Sequence, residues 1–180
     1  FAEAEADLDD RLPLEELDPQ WRCFFDDGSV FDLHADVERT ASLMREFSPR
    51  AGIGNRYTSF MAEAEHMHRL TDRYFFWQPV ATLRDMIRDG MAASFSALSD
   101  LEGMKLGRTV ASRTRHYLDD ARLSQMADHF TQYVGSSPFL APAILCGIAH
   151  MQTEEGIWYP QIPRPHQRPE VPEQPYNPYY

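Results

Sequence analysis

Two short apolar runs, "WRCFF" and "VFDL", flank the turn-forming tetrapeptide "DDGS", and together they predict a β-hairpin across residues 21–33. Beyond it the apolar spacing becomes helical. Asp36 is placed to cap a helix that carries Val37, Thr40, Met44 and Phe47 on one side. Pro49 in "FSPR" ends that helix, because it drives Ser48 out of the α region. A second helix is predicted through "RYTSFMAEAEHMHRLTDRYFF", and a third from near Pro79 in "QPVATLRDMIRDGMAASF". The two glycines of "LEGMKLGRTVASRTRHYL" predict a helix that follows a loop.

The segment "DDARLSQMADHFTQYVG" has the clearest helical pattern. Asp119 or Asp120 caps it, Leu123, Met126, Phe130 and Val134 form one apolar stripe, and Gly135 closes it. In "SSPFLAPAILCGIAHMQTEEG" Pro142 fits the first helical turn, since a proline inside a helix costs about 3 kcal/mol. Gly156 stops this helix and "IWYP" predicts a short strand. The fold class expected is α+β, predominantly helical: a small hairpin or sheet and a bundle-like helical body over residues 19–160. An acidic segment over 1–18 precedes it, and an extended proline-rich arm over 161–180 follows.

Composition narrows the function classes. Hydrophobic residues make up 43% and aromatics 12%, enough for a globular core. The longest apolar cluster, in "YFFWQPV", is interrupted by Gln78 and Pro79 and falls short of the roughly 18 residues of a membrane span. Membrane contact is therefore expected to be peripheral or through a partner. The net charge is −11, and the first 18 residues hold eight acids against one arginine. That block predicts a solvated terminus and opposes nucleic-acid binding, because phosphates need a cationic surface. Phe1 rather than Met opens the chain, so processing or missing upstream residues are expected. Cys23 and Cys146 lie in apolar stretches without metal-binding spacing and read as buried free thiols, with a disulfide left open.

Few constellations suggest chemistry. "EAEHMH" contains Glu63-x-x-His66 and Glu65-x-x-His68, the spacing of di-iron bundles, but both pairs sit on one helix and point to different sides. They read as solvent-facing positions, and no metal site is expected. Ser136, Ser137 and the histidines form no nucleophile elbow, and no catalytic residue is assigned. Arg108, Arg113, Arg115 and His116 read as a solvated basic face, or as a contact for an acidic partner or lipid headgroups. Tyr74, Phe75, Phe76 and Trp77 are either core aromatics or a patch facing a membrane edge or partner.

Three stretches, "LPLEELDPQWRCFFDDGSVFDL", "FSPR" and "GSSPFLAPAILCGIAHMQTEEGIWYP", resemble the middle, substrate-binding region of the phytoene desaturase family of FAD-dependent carotenoid oxidoreductases. The likeness runs from Leu12 to Pro160. It implies peripheral membrane association, an apolar polyene tunnel and hydride transfer to FAD. The best-matched block nominates Phe139, Ala143, Cys146 and His150 as tunnel lining, so a carotenoid is the ligand the resemblance implies. The chain contains no G-x-G-x-x-G, and "AGIGN" is only a fragment of that pattern. After "GIWYP" the family continues with glycines, whereas this chain continues "QIPRPHQRP". Without such glycines a backbone cannot approach a pyrophosphate, so no cofactor is expected here and FAD would come from another chain.

Six prolines between Pro163 and Pro178 favour an extended strap, on which Tyr176, Tyr179 and Tyr180 are candidate anchors for other protein subunits. Two readings follow. In the first, the chain is a non-catalytic accessory subunit of a membrane-associated, photosynthetic pigment–protein complex, intracellular and peripheral to the membrane through its partners. In the second, it is a partial or split carotenoid desaturase whose flavin domain lies on a missing segment or a partner chain.

Overall fold

A computed structural model describes residues 12–73, 100 and 102–161, which fall into two compact units. The helix expected from Pro79, the aromatic run Tyr74–Trp77 and the tyrosines of the strap lie outside the described residues.

The smaller unit contains strand β1, Leu14–Glu16, and a strand at the far end of the chain, Trp158–Pro160. They pair antiparallel, with Glu15 opposite Tyr159, and the Gln161 amide extends the ladder by donating to the Pro13 carbonyl at 2.8 Å. The "IWYP" strand was expected. Its partner lies within the acidic segment taken for a solvated terminus, where glutamates mask any apolar alternation.

The larger unit, Asp18–Ile157, opens with the predicted hairpin of β2, Trp21–Phe24, and β3, Val30–Leu33. Gly28 supplies the left-handed turn residue (φ 79°), and Asp27 accepts from the Ser29 amide. Alternation divides the ribbon into two faces. Trp21, Cys23, Phe31 and Leu33 pack on the core, while the outer face carries the Arg22–Asp32 and Phe24–Val30 pairs. Arg22 grips Asp32 through two 2.8 Å hydrogen bonds.

Helix α1, Val37–Phe47, is capped by Asp36, whose carboxylate accepts from the Glu38 and Arg39 amides, and it ends at an extended Ser48 as Pro49 requires. Helix α2, Ile53–Thr71, starts before the predicted Arg56. It drives Ile53, Phe60, Ala64 and Met67 into the core. Gly54 is required by the α1–α2 crossing, because a Cβ there would lie 2.5 Å from the Ala41 carbonyl oxygen.

Helix α3, Val110–Tyr117, begins at a Thr109–Ser112 capping box, and α4, Ala121–Asp128, begins at Asp120. The single helix expected from Asp120 to Gly135 is instead broken. After Asp128 the chain tightens into a 3-10 segment, His129–Val134, before the left-handed Gly135. The three-residue period rotates Val134 off the stripe set by Leu123, Met126 and Phe130, leaving it 49% exposed. The next helix is also shorter than expected. Pro142 precedes a 3-10 turn, Ala143–Cys146, and α5 runs over Gly147–Glu155 until Gly156 stops it. Trp158–Pro160 is therefore β4. The described architecture is α+β and predominantly helical, and no described helix is long and apolar enough to cross a membrane.

Candidate functional site

The nominated tunnel residues occupy three different environments. Ala143 and Cys146 are closed into the core, and burial pushes the Cys146 thiol up to about 12. It stays protonated at neutral pH and is a packing residue rather than a nucleophile or metal ligand. Phe139 is 62% exposed and lies under the Arg115 guanidinium, 4.8 Å from the ring centre. His150 is half-buried, lines a cleft of 360 Å³ with Val37, Met61 and Glu65, and sits 5.5 Å from the His68 ring. The helix begins only at Gly147, so Phe139 falls in the preceding turn.

The acidic and basic residues read as solvated are largely paired. Arg113 donates to both oxygens of Glu63 at 2.7 Å, and the Tyr117 hydroxyl donates to the same carboxylate. Burial raises the Glu63 pKa, but the Arg113 and Tyr117 hydrogen bonds outweigh it and hold the group below its ordinary value. Arg115 contacts Asp128 at 2.9 Å, and Asp128 also accepts from the Thr114 hydroxyl. Glu65 pairs with Arg69 one turn on. The expected basic face is thus corrected at Arg113, and the expected solvent-facing position at Glu63, whereas Arg115 stays exposed. The helices of Arg113 and Glu63 meet in the core, where lone charges are costly. No cluster that could hold a metal occurs among the described residues.

Sequence reasoning missed a third group. His34 is 5% exposed, and its Nδ1 is bound to the Asp18 carboxylate, which also accepts from Arg39 at 2.8 Å. The His34 hydrogen bond, and then Arg39, hold the Asp18 carboxyl below its ordinary value. These residues line a cleft of 710 Å³ between the outer face of the hairpin and α1. No spacing of these residues marks the group in the sequence. The cross-link from Asp18 does not show there.

The glycines of "AGIGN" have a packing role. Gly52 is the left-handed residue before α2, and the space beside Gly54 is filled by the α1 backbone and Arg45. At Gly54 the close packing of α1 accounts for the glycine.

No protein-family model matches the chain. Individual proteins do. The 4,4'-diaponeurosporene oxygenase of Staphylococcus haemolyticus is 30% identical over 160 residues, which is 88% of this chain and 30% of that protein. The 4,4'-diapolycopene oxygenase of Methylomonas sp is 26% identical over 88% of the chain and 31% of its own length. The carotenoid 3,4-desaturase of Haloarcula japonica is 28% identical over 84% of the chain and 29% of its own length. The chain therefore spans about three-tenths of these curated relatives. Along most of its own length it is similar in sequence to carotenoid oxygenases and a carotenoid desaturase.

Proposed function

We propose that the chain forms the substrate-side part of a carotenoid oxidoreductase and works with a flavin-bearing part that lies outside the described residues. The observation that carries this is the alignment of 84–88% of the chain with carotenoid oxygenases and a carotenoid desaturase of which it covers only about three-tenths. The sequence carries no G-x-G-x-x-G, so in this reading FAD is bound by the flavin-bearing part and supplies the hydride acceptor.

A second reading rests on the sequence after Pro160. There "QIPRPHQRP" replaces the glycines of the resembled family and leads into a tyrosine-ended, proline-rich stretch. This favours an accessory subunit, peripheral to a membrane, that is strapped onto other proteins of a photosynthetic pigment–protein complex.

Size-exclusion chromatography of native material with full-spectrum absorbance separates the two, the chain being followed by mass spectrometry. Co-elution with one flavin-bearing partner, or within a longer flavin-bearing polypeptide, is the expected result. Elution in a large pigmented particle without a flavin band overturns the oxidoreductase reading and leaves the accessory subunit.

A further inference from the structure

The cleft beside the hairpin combines features that the carotenoid reading does not use. His34 has its side chain almost entirely enclosed, and its position is fixed twice over. The Asp18 carboxylate holds Nδ1, and the Thr40 hydroxyl bridges the His34 backbone amide and carbonyl at 3.2 Å. Arg39 in turn fixes Asp18. In the neutral ring a carboxylate at Nδ1 selects the tautomer with its proton there, and Nε2 is then a hydrogen-bond acceptor. Among the described residues Nε2 has no hydrogen-bond partner. It is also open to the cleft, unlike the sealed Nε2 of His129. The ring is enclosed apart from an acceptor that only cleft water reaches, and a ligand with a donor can take that water's place.

The rest of the lining defines the ligand. Phe24, Val30, Leu43 and Phe47 form an apolar wall, and 710 Å³ is within the range of small-molecule sites. Asp18, Asp32 and Glu46 stand at the same cleft, and the arginines there, Arg22 and Arg39, are already committed to Asp32 and Asp18. An anionic head is disfavoured by the spare carboxylate, and an apolar molecule without a donor leaves Nε2 unsatisfied.

We propose that this cleft binds a neutral, hydroxyl-ended apolar molecule, with its O–H donated to His34 Nε2 and its hydrocarbon body against Phe24, Val30 and Leu43. The site is independent of the oxidoreductase reading.

Octanol serves as the probe, with heptyl methyl ether, equal in size but lacking the O–H, and octanoate as comparisons. Saturable binding of octanol to the full chain is expected by ligand-observed NMR. Binding of the ether and of octanoate should be weaker by about tenfold, the worth of one good hydrogen bond. His34→Phe should remove the preference for the alcohol over the ether. Leu43→Trp should block all three probes by filling the cleft, while leaving Asp18, His34 and Arg39 unsubstituted. It decides the matter if His34→Phe does not fold. Absence of saturable octanol binding, equal affinity for the ether, or octanol binding unchanged by Leu43→Trp each overturns the proposal.

Discussion

Arg113 on α3 holds Glu63 on α2 in a two-bond fork, with both contacts at 2.7 Å and fifty residues between the partners. Both side chains are about seven-eighths enclosed, so neither charge has water to fall back on. Removing one partner strands the other, which typically costs about 3–5 kcal/mol. Glu63→Leu and Arg113→Leu are each expected to destabilise by about 3 kcal/mol in urea titrations. The double variant should lose less than the sum, because it leaves no orphaned charge. Strict additivity in that cycle would show that the fork is not the unit of stabilisation.

Gly54 and Gly147 mark the two places where backbones approach α2 or leave it most closely. A Cβ on Gly54 would lie 2.5 Å from the Ala41 carbonyl oxygen, and one on Gly147 2.8 Å from the His68 amide nitrogen. Neither obstacle is a flexible side chain. Gly54→Ala and Gly147→Ala are therefore expected to cost about 1–3 kcal/mol each, although alanine is the better helix former. Thermal unfolding followed by circular dichroism reads this directly. A rise in Tm for either variant would mean that the helices separate without cost.

Local chemistry made much of the fold legible. The hairpin follows from "DDGS" between apolar runs, and α1 from a capping Asp36 and a proline stop, all within a few residues of what they control. The same holds for Asp120 and Gly135 at the two ends of their segment. What lies between them was not legible: the change to a 3-10 segment at His129 is set by packing rather than by spacing. Trp21 stacks on that histidine at 4.7 Å and donates to Gln152, so residues far apart in sequence decide the local geometry. The candidate site suffered similarly. Glu63–Arg113 and Asp18–His34 join separate elements, and in sequence each member resembles an ordinary surface charge. Phe139 was nominated from the best-matched block of the resemblance, which carries no information about where its side chain faces.

The two thiols should differ in reactivity. Cys146 is 2% exposed and its pKa is raised to about 12, whereas Cys23 is half-buried and raised by burial to a lesser degree. In the native protein at mildly alkaline pH, iodoacetamide is expected to modify Cys23 slowly and to leave Cys146 untouched until denaturant is added. Peptide mass mapping distinguishes them. Rapid native labelling of Cys146 would mean that the core around the Ala143–Cys146 turn opens readily.

Asp120 does two jobs at the start of α4. It accepts from the Arg122 and Leu123 amides as an N-cap, and it accepts the Ser48 hydroxyl at 2.7 Å, which ties the end of α1 to α4. Asp120→Ala removes both and is expected to cost about 2 kcal/mol, the upper end for a cap. Asp120→Asn keeps the capping acceptor and should recover much of the loss. If the asparagine variant is as unstable as the alanine one, the charge rather than the cap carries the effect.

Acid sensitivity follows from the same carboxylates. Asp18, Glu63 and Asp120 all have folded pKa values below their ordinary ones: Asp18 through His34, and the other two because hydrogen bonds overcome burial. A group with a depressed folded pKa contributes stability that is fully present above its unfolded pKa, here about 4. That contribution is lost as pH falls through the folded value, because the unfolded chain takes up the proton first. The urea midpoint should therefore change little from these groups between neutrality and about pH 5, then fall steeply below about pH 4. Glu63→Gln removes one of the three titrations, so its midpoint should start lower at neutral pH and decline less on acidification, the two curves converging at the acid end. Parallel curves with a constant gap would show that Glu63 is not ionised against Arg113 in the folded protein.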